Sequence, residues 1–273
     1  MENIIEVKNL TKKFGKFMAV DKINFNLQKG EIFGFLGPNG AGKSTTIRML
    51  VTLLQPTSGR AKVAGFDIDR DQDEVRKHIG LVAEKIILYN HLTARENLNF
   101  FGHLFHLTRE QIKERTAKWV ERLHMNEWMD TQVGAFSTGM KQRINIVRAL
   151  LTEPDVLFLD EPTLGLDPQT THLIRNFICE LNSQGVTALL TTHDMLEAEE
   201  LCQRVAIIDH GKIAALDTVE NLKKKVTGKV NPSMEDVFLA ITGKEIRDVA
   251  TEKVKSTAGH SHRFGGQSAN RVR

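Results

Sequence analysis

The 273 residues predict an α/β protein: a parallel sheet flanked by helices, antiparallel strands at its front, and a helical segment inserted midway. Three observations carry this prediction. From about residue 139 onward, short aliphatic runs alternate with helix-length amphipathic stretches, the pattern of a doubly wound sheet. Residues 4–36 read instead as successive β segments. Between about 91 and 135, two helices follow one another with no strand between them.

In chain order, residues 4–7 and the alternating Ile23, Phe25 and Leu27 are strands, and 31–36 (EIFGFL) is a continuous apolar strand running into a glycine-rich turn. A helix over 45–54 is stopped by Gln55-Pro56 and the turn Thr57-Ser58-Gly59. A short helix (73–78) and a strand (79–83) follow. In the insertion, Thr93-Ala94-Arg95-Glu96 has the form of a capping box, and Leu98, Phe101, Leu104 and Phe105 fall on one helical face. Thr108-Arg109-Glu110-Gln111 opens a second amphipathic helix running to about His124. The inserted subdomain is placed at about 91–150. The alternation then resumes with a helix at 139–152, a strand at 156–159, a helix at 168–184, a strand at 186–191 and a helix at 195–203. A hairpin of 205–209 with 212–216 turns at His210-Gly211, and a helix over 218–225 ends the predicted core.

Bulk composition narrows the function classes. A hydrophobic fraction of 41% and a charged fraction of 26% are ordinary for a soluble globular chain. No apolar run approaches the ~20 residues that span a bilayer. The start, MENIIEVKNL, carries acids and lacks the basic-then-apolar layout of a secretory signal. Any service to a membrane is therefore expected to run through another chain. The two cysteines, Cys179 and Cys202, are read as reduced thiols rather than as a bridge or metal site. Of 37 basic and 34 acidic residues, seven and three fall from Lys244 onward, which leaves 30 and 31 in the body. The charge of +3 therefore resides in a basic tail, 246–273, while the body is near neutral, and no nucleic-acid partner is expected. Beyond about 250 the aliphatics give way to Ser, Gly, His and Arg, and the tail is expected to be disordered, either a solvated end or a nucleic-acid arm.

Gly37-Pro38-Asn39-Gly40-Ala41-Gly42-Lys43-Ser44, followed by Thr45, fits the phosphate-binding pattern G-x-x-x-x-G-K-[ST] between a strand and a helix. Its glycines let backbone N–H groups curl around phosphate oxygens at a helix N-terminus. Lys43 is expected to reach the β- and γ-phosphates of ATP, and the Ser44 hydroxyl to take a magnesium position. The apolar strand at 156–159 delivers Asp160 and Glu161 at its C-terminal end. Asp160 suits magnesium through water, and Glu161 suits a general base that orients the attacking water. Together these predict a P-loop NTPase core.

Between those two motifs lies Phe136-Ser137-Thr138-Gly139-Met140-Lys141-Gln142-Arg143. In that position it resembles the signature motif of ATP-binding cassette (ABC) proteins, commonly LSGGQ. A serine hydroxyl and a helix N-terminus make an anion site there. The resemblance covers residues 1–245 and implies that Ser137 and Gly139 face ATP held by another subunit. It implies a head-to-tail dimer with two ATP molecules at the interface, the partner being a second copy or a related chain. Leu164-Gly165-Leu166-Asp167 resembles the family's D-loop, and His193 its switch histidine, which contacts the γ-phosphate. Phe14 falls where the family stacks an aromatic ring on adenine, with core packing as the competing reading. Glu84 departs from the pattern, standing where the family has a glutamine that senses magnesium; its carboxylate can still receive metal-bound water.

The stretch from Pro232 to Ala240 resembles the C-terminal end of cassettes from drug-resistance and sodium-type exporters. The family resemblance implies separate transmembrane permease subunits and a place on the cytoplasmic face of the cell membrane. It also implies a docking groove between the core and the helical subdomain, expected near residues 84–100. There the apolar run Ile86, Ile87, Leu88 and Tyr89 is either a docking surface or a buried connector. The alternative function is a soluble cassette acting on DNA or ribosomes.

Overall fold

The computed structural model describes residues 2–243, so the tail assigned to 246–273 lies outside the described residues. The chain opens with β1 (Asn3–Phe14) and β2 (Phe17–Gln28), which pair antiparallel. These strands are far longer than the segments predicted from alternation. The reason is a series of register shifts, with Asn9 and Lys22 in the left-handed region, which breaks the strict period of two. Next come β3 (Ile32–Leu36), α1 (Lys43–Leu50), β4 (Ser58–Val63), β5 (Phe66–Asp67), α2 (Gln72–Lys77) and β6 (Ile79–Val82). The helix α1 stops at Leu50, short of the expected 54, because Thr52 turns to φ 62° and the N–H groups of Leu53 and Leu54 fold back onto the Arg48 carbonyl.

The insertion supplies α3 (Ala94–Leu104), α4 (Arg109–Arg122) and α5 (Thr138–Leu150). Both predicted N-termini are closed as written: Thr93 with Glu96, and Thr108 with Gln111, form reciprocal capping boxes. After α5 the chain alternates through β7 (Val156–Asp160), α6 (Pro168–Ser183), β8 (Thr187–Thr192), α7 (Met195–Leu201), β9 (Arg204–Asp209) and β10 (Lys212–Thr218). It finishes with α8 (Val219–Lys224) and α9 (Met234–Thr242). The β9–β10 hairpin turns at His210 and Gly211, both at positive φ as a two-residue type I′ turn requires.

Two sheets result. One is antiparallel, in the order β2-β1-β4-β5; the other has six strands in the order β10-β9-β3-β8-β7-β6, parallel except for its β10 edge. The central strands β3, β7 and β8 are buried at every residue, as parallel strands covered on both faces must be. Alternate side chains feed two cores. Ile32, Leu36, Leu157, Leu159 and Leu190 join the inserted and C-terminal helices. Phe33, Phe35, Phe158 and Leu189 face α1 and the antiparallel sheet, where Phe25, Phe33 and Phe35 form a ring cluster with centroids 5.0–5.5 Å apart. Gly34 interrupts β3 because a Cβ there would sit 2.6 Å from the Cys202 sulfur.

The inserted helices share the first of these cores with the sheet: Leu98, Trp119 and Phe136 belong to the same cluster as Leu157. The predicted four-residue stripe on α3 is split. Leu98 and Phe101 are buried, whereas Leu104 and Phe105 at its C-terminal end are exposed at 58% and 39%.

Candidate nucleotide site

The P-loop leaves the C-terminal end of β3, which lies between β8 and β9. Gly37 can be nothing larger, since a Cβ would meet the Ile208 carbonyl oxygen of β9 at 2.2 Å. Gly42 turns to φ 109°, and its missing Cβ makes room for the Ala19 carbonyl. The Gly211 turn donates its N–H to Ala41 at 3.0 Å and so braces the loop from below. Gly42 caps α1 with no side-chain hydrogen bond, and no acidic residue stands in the helix's first turn.

Lys43 is buried, and its Nζ donates to the Gly37 carbonyl at 2.7 Å and the Pro38 carbonyl at 3.3 Å. The same nitrogen forms an ion pair with Glu161 Oε1 at 3.1 Å. Beyond that ion pair Oε1 is a buried acceptor with no other partner among the described residues. Glu161 Oε2 lies 2.9 Å from His193 Nδ1. Burial pushes the Glu161 carboxyl up, but the His193 hydrogen bond and the Lys43 charge together outweigh it and hold the group below the usual range. The hydrogen bond to Glu161 in turn raises His193, against a smaller opposing effect of burial.

Beside this triad, Ser44 Oγ donates to Asp160 Oδ1 at 2.9 Å and Thr191 Oγ1 donates to the same oxygen at 2.6 Å. A hydroxyl and a carboxylate at the foot of a phosphate loop are hard oxygen donors that suit magnesium. Among the described residues no group of three or more His, Cys, Asp or Glu side chains is placed to hold a metal ion. Glu84 is exposed and lines the same cavity of about 370 Å³, as do Lys43, Ser44, Glu161 and the ring of Phe14. Phe14 is 48% exposed and Phe17, paired opposite it, 62%, so neither ring is core.

Ser137, Gly139 and Asp167 do not line that cavity. Ser137 caps α5, accepting from Met140 N at 3.3 Å. Asp167 caps α6, accepting from Thr170 N at 2.9 Å and Thr170 Oγ1 at 2.7 Å, and these bonds hold its carboxyl low. Gly139 lies against that same Thr170, whose methyl carbon would be 2.9 Å from a Cβ there. The two helix N-termini therefore sit side by side. Sequence reasoning overlooked Thr191, whose hydroxyl could be placed on Asp160 only once β7 and β8 were known to be neighbours, and Phe17, whose importance depends on the hairpin register.

A larger concavity of about 1080 Å³ opens between the core and the insertion. Its walls are Leu53, Leu81, Phe101, Leu104, Phe105 and Arg148, with no residue from 84–100. The loop from 84 to 93, where a docking surface was expected, lies outside this concavity, and α3 lines it only with its last turn. In that loop Ile87 and Tyr89 are exposed, while Ile86 and Leu88 are half-buried.

A family model described as ABC transporter matches residues 20–164. The chain belongs to the ABC transporter family. The cassette is 42% identical to the probable multidrug ABC transporter ATP-binding protein YbhF of Escherichia coli over 88% of its own length, and spans 42% of that protein. It is 39% identical to the linearmycin resistance ATP-binding protein LnrL of Bacillus subtilis, covering 93% of the cassette and 80% of LnrL. Among solved structures, a dimeric ATP-binding cassette in a post-hydrolysis state bound to ADP and Pi superposes with a TM-score of 0.71 at 28% identity, over 78% of this chain and 98% of that one.

Proposed function

We propose that the cassette is the ATP-hydrolysing subunit of an exporter, working as a dimer that drives separate membrane subunits. The observation that carries this is Glu161 held between Lys43 and His193 at the mouth of the phosphate loop. Entering phosphate competes for Lys43, whose Nζ then leaves the Gly37 and Pro38 carbonyls and the Glu161 carboxylate. Glu161, freed of one cation, becomes an acceptor for the proton of the attacking water, while His193 keeps its orientation. A magnesium ion held by Ser44 and Asp160, with Glu84 facing it through water, would neutralise charge on the phosphates. Phe14 would cover the adenine.

The signature elements act across the dimer. Ser137 and Gly139, outside their own cavity and at a helix N-terminus, suit the γ-phosphate of ATP on the second subunit. The names of YbhF and LnrL, a probable multidrug ABC transporter ATP-binding protein and a linearmycin resistance ATP-binding protein, support a drug-export role. The groove at Leu104 and Phe105 is the surface offered to that permease, which would hold the cassette at the inner face of the membrane. Glu161→Gln tests the reading: it keeps ATP binding, loses steady-state hydrolysis by at least about a hundredfold, and accumulates an ATP-bound dimer on size exclusion. Turnover at the wild-type rate removes Glu161 as the base.

A further inference from the structure

Two buried acids, Glu31 and Glu197, take no part in that mechanism, and Glu31 is paired with Arg204 at 3.3 Å. Glu197, in the first turn of α7, is 1% exposed. Its Oε1 accepts a hydrogen bond from Thr163 Oγ1 at 2.7 Å. Burial pushes its carboxyl up, opposed by hydrogen bonds from Thr163 and from Thr192. The nearest cation, Arg175 on α6, is already committed: it gives 2.7 Å to Asp194 and 3.0 Å to Glu200, and only its Nε approaches Glu197, at 3.7 Å. That Nε has no hydrogen-bond partner of its own. An acid this deeply buried without a dedicated cation is costly to keep and adds little as an ion pair.

What Glu197 does touch is informative. Thr163 lies two residues after Glu161 and four before Asp167, on the loop that joins the catalytic carboxylate to the partner-facing cap of α6. Glu197 sits in the first turn of α7, whose cap, Asp194, directly follows His193 and has its N–H held by the Thr192 hydroxyl at 2.9 Å. From the opposite side the same loop is held by α5, where buried Gln142 donates to the Pro162 carbonyl at 2.7 Å. The loop from 161 to 167 is thus clamped between the signature helix and α7.

We propose that Glu197 is a positioning residue that locks the loop carrying Glu161 and Asp167 to the strand end carrying His193, so that the base and the switch histidine move as one unit when the partner subunit closes. This rests on the ATPase reading above. Neither Thr163 nor Glu197 lines the cavity at the phosphate loop, so loss of the link should slow the chemical step without weakening binding.

The test is a double-mutant cycle of Thr163→Val and Glu197→Ala in the full-length protein, with Thr163→Ser as the conservative rescue. Steady-state kcat and KM for MgATP, the dissociation constant of a non-hydrolysable ATP analogue, and Tm are read for each. Each single variant is expected to lose about tenfold in kcat, a 1.4 kcal/mol effect, with KM and analogue affinity within about twofold. The double variant falls no further than the worse single one, and Thr163→Ser recovers the rate. If Glu197→Ala does not fold, the Val/Ser pair at Thr163 carries the test alone. The proposal is overturned if Thr163→Val turns over at the wild-type rate, if it loses Tm and KM together with kcat, if Ser fails to rescue it, or if the two losses multiply. Glu161→Gln run in parallel keeps the two readings apart: undiminished hydrolysis there removes the ATPase mechanism, whereas normal loss there with an unaffected Thr163→Val removes only the lock.

Discussion

Glu161 holds a conformation that the chain would not choose on its own. Its φ of 51° is left-handed, a strain of about 1–3 kcal/mol for a residue with a Cβ. The backbone is held there by Thr191, whose carbonyl and hydroxyl both accept from the Glu161 N–H at 3.1 Å. The strained turn aims the carboxylate back at Lys43 and His193, which makes the three side chains a closed electrostatic unit. Its pH behaviour follows from the two directions of shift. Glu161 sits below its usual value, so its contribution is present above the ordinary carboxylate range and fades as pH falls through the lowered one. His193 sits above its ordinary value of about 6.5, so its contribution is complete below that value and is lost as pH rises through the raised one. Nucleotide-free protein should therefore show a Tm advantage over His193→Gln near pH 6 that shrinks toward pH 9. An advantage that stays constant across that range would mean that the imidazole is not charged in the pair.

At the scale of elements, helix ends and strand ends were written most legibly. The capping boxes at Thr93 and Thr108 close α3 and α4 at the residues predicted, because a cap is local chemistry that needs no knowledge of the fold. Thr93→Ala should accordingly cost about 1 kcal/mol, read as a Tm drop of roughly 2–4 °C, while leaving affinity for ATP unchanged. A drop several times larger would show that the N-terminus of α3 carries tertiary load beyond its cap. The strand tips that end in Gly37 and in Asp160-Glu161 were equally readable, since apolar runs buried on both faces end abruptly where chemistry begins. Less legible was anything set by pairing between distant strands. Thr191 reaches Asp160 only through the β7–β8 register, and Phe17 meets Phe14 only through the β1–β2 hairpin. The long first strands escaped notice because left-handed Asn9 and Lys22 reset their alternation. The α3 stripe misled for another reason: periodicity assigns residues to one face, but Leu104 and the Phe105 that follows it fall where the body ends and the groove begins.

At the scale of the whole molecule, the nucleotide cavity and the groove beside α3 lie in different structural company. The nucleotide cavity is small, built of backbone, charge and one aromatic hairpin, whereas the groove is nearly three times its volume and walled by aliphatic and aromatic side chains. Its acidic and basic rim residues are already spent on one another: Arg76 pairs with Asp73 at 3.0 Å and Lys77 with Glu74 at 2.7 Å. Arg148 is likewise engaged, donating to the carbonyls of Leu81 and Ile87 and lying 5.0 Å from the centre of the Phe101 ring, and burial draws its guanidinium down to about 10. If the proposed permease seats on this face, apolar contact should hold it more than charge, and its binding should change little between low and high salt. Exposed Leu104 is the natural anchor, and Leu104→Glu puts a carboxylate where the partner's apolar surface would have to desolvate it. As a surface substitution it should move Tm by no more than a degree or two. In detergent extracts of native membranes, tagged wild-type cassette should bring down a multi-span membrane protein at both low and high salt, and the Leu104→Glu cassette should bring down at least about tenfold less. Equal recovery with the variant would move the docking surface elsewhere, toward exposed Ile87 and Tyr89 on the loop beside the groove. Recovery that collapses in high salt would mean that charge outside this groove carries the contact.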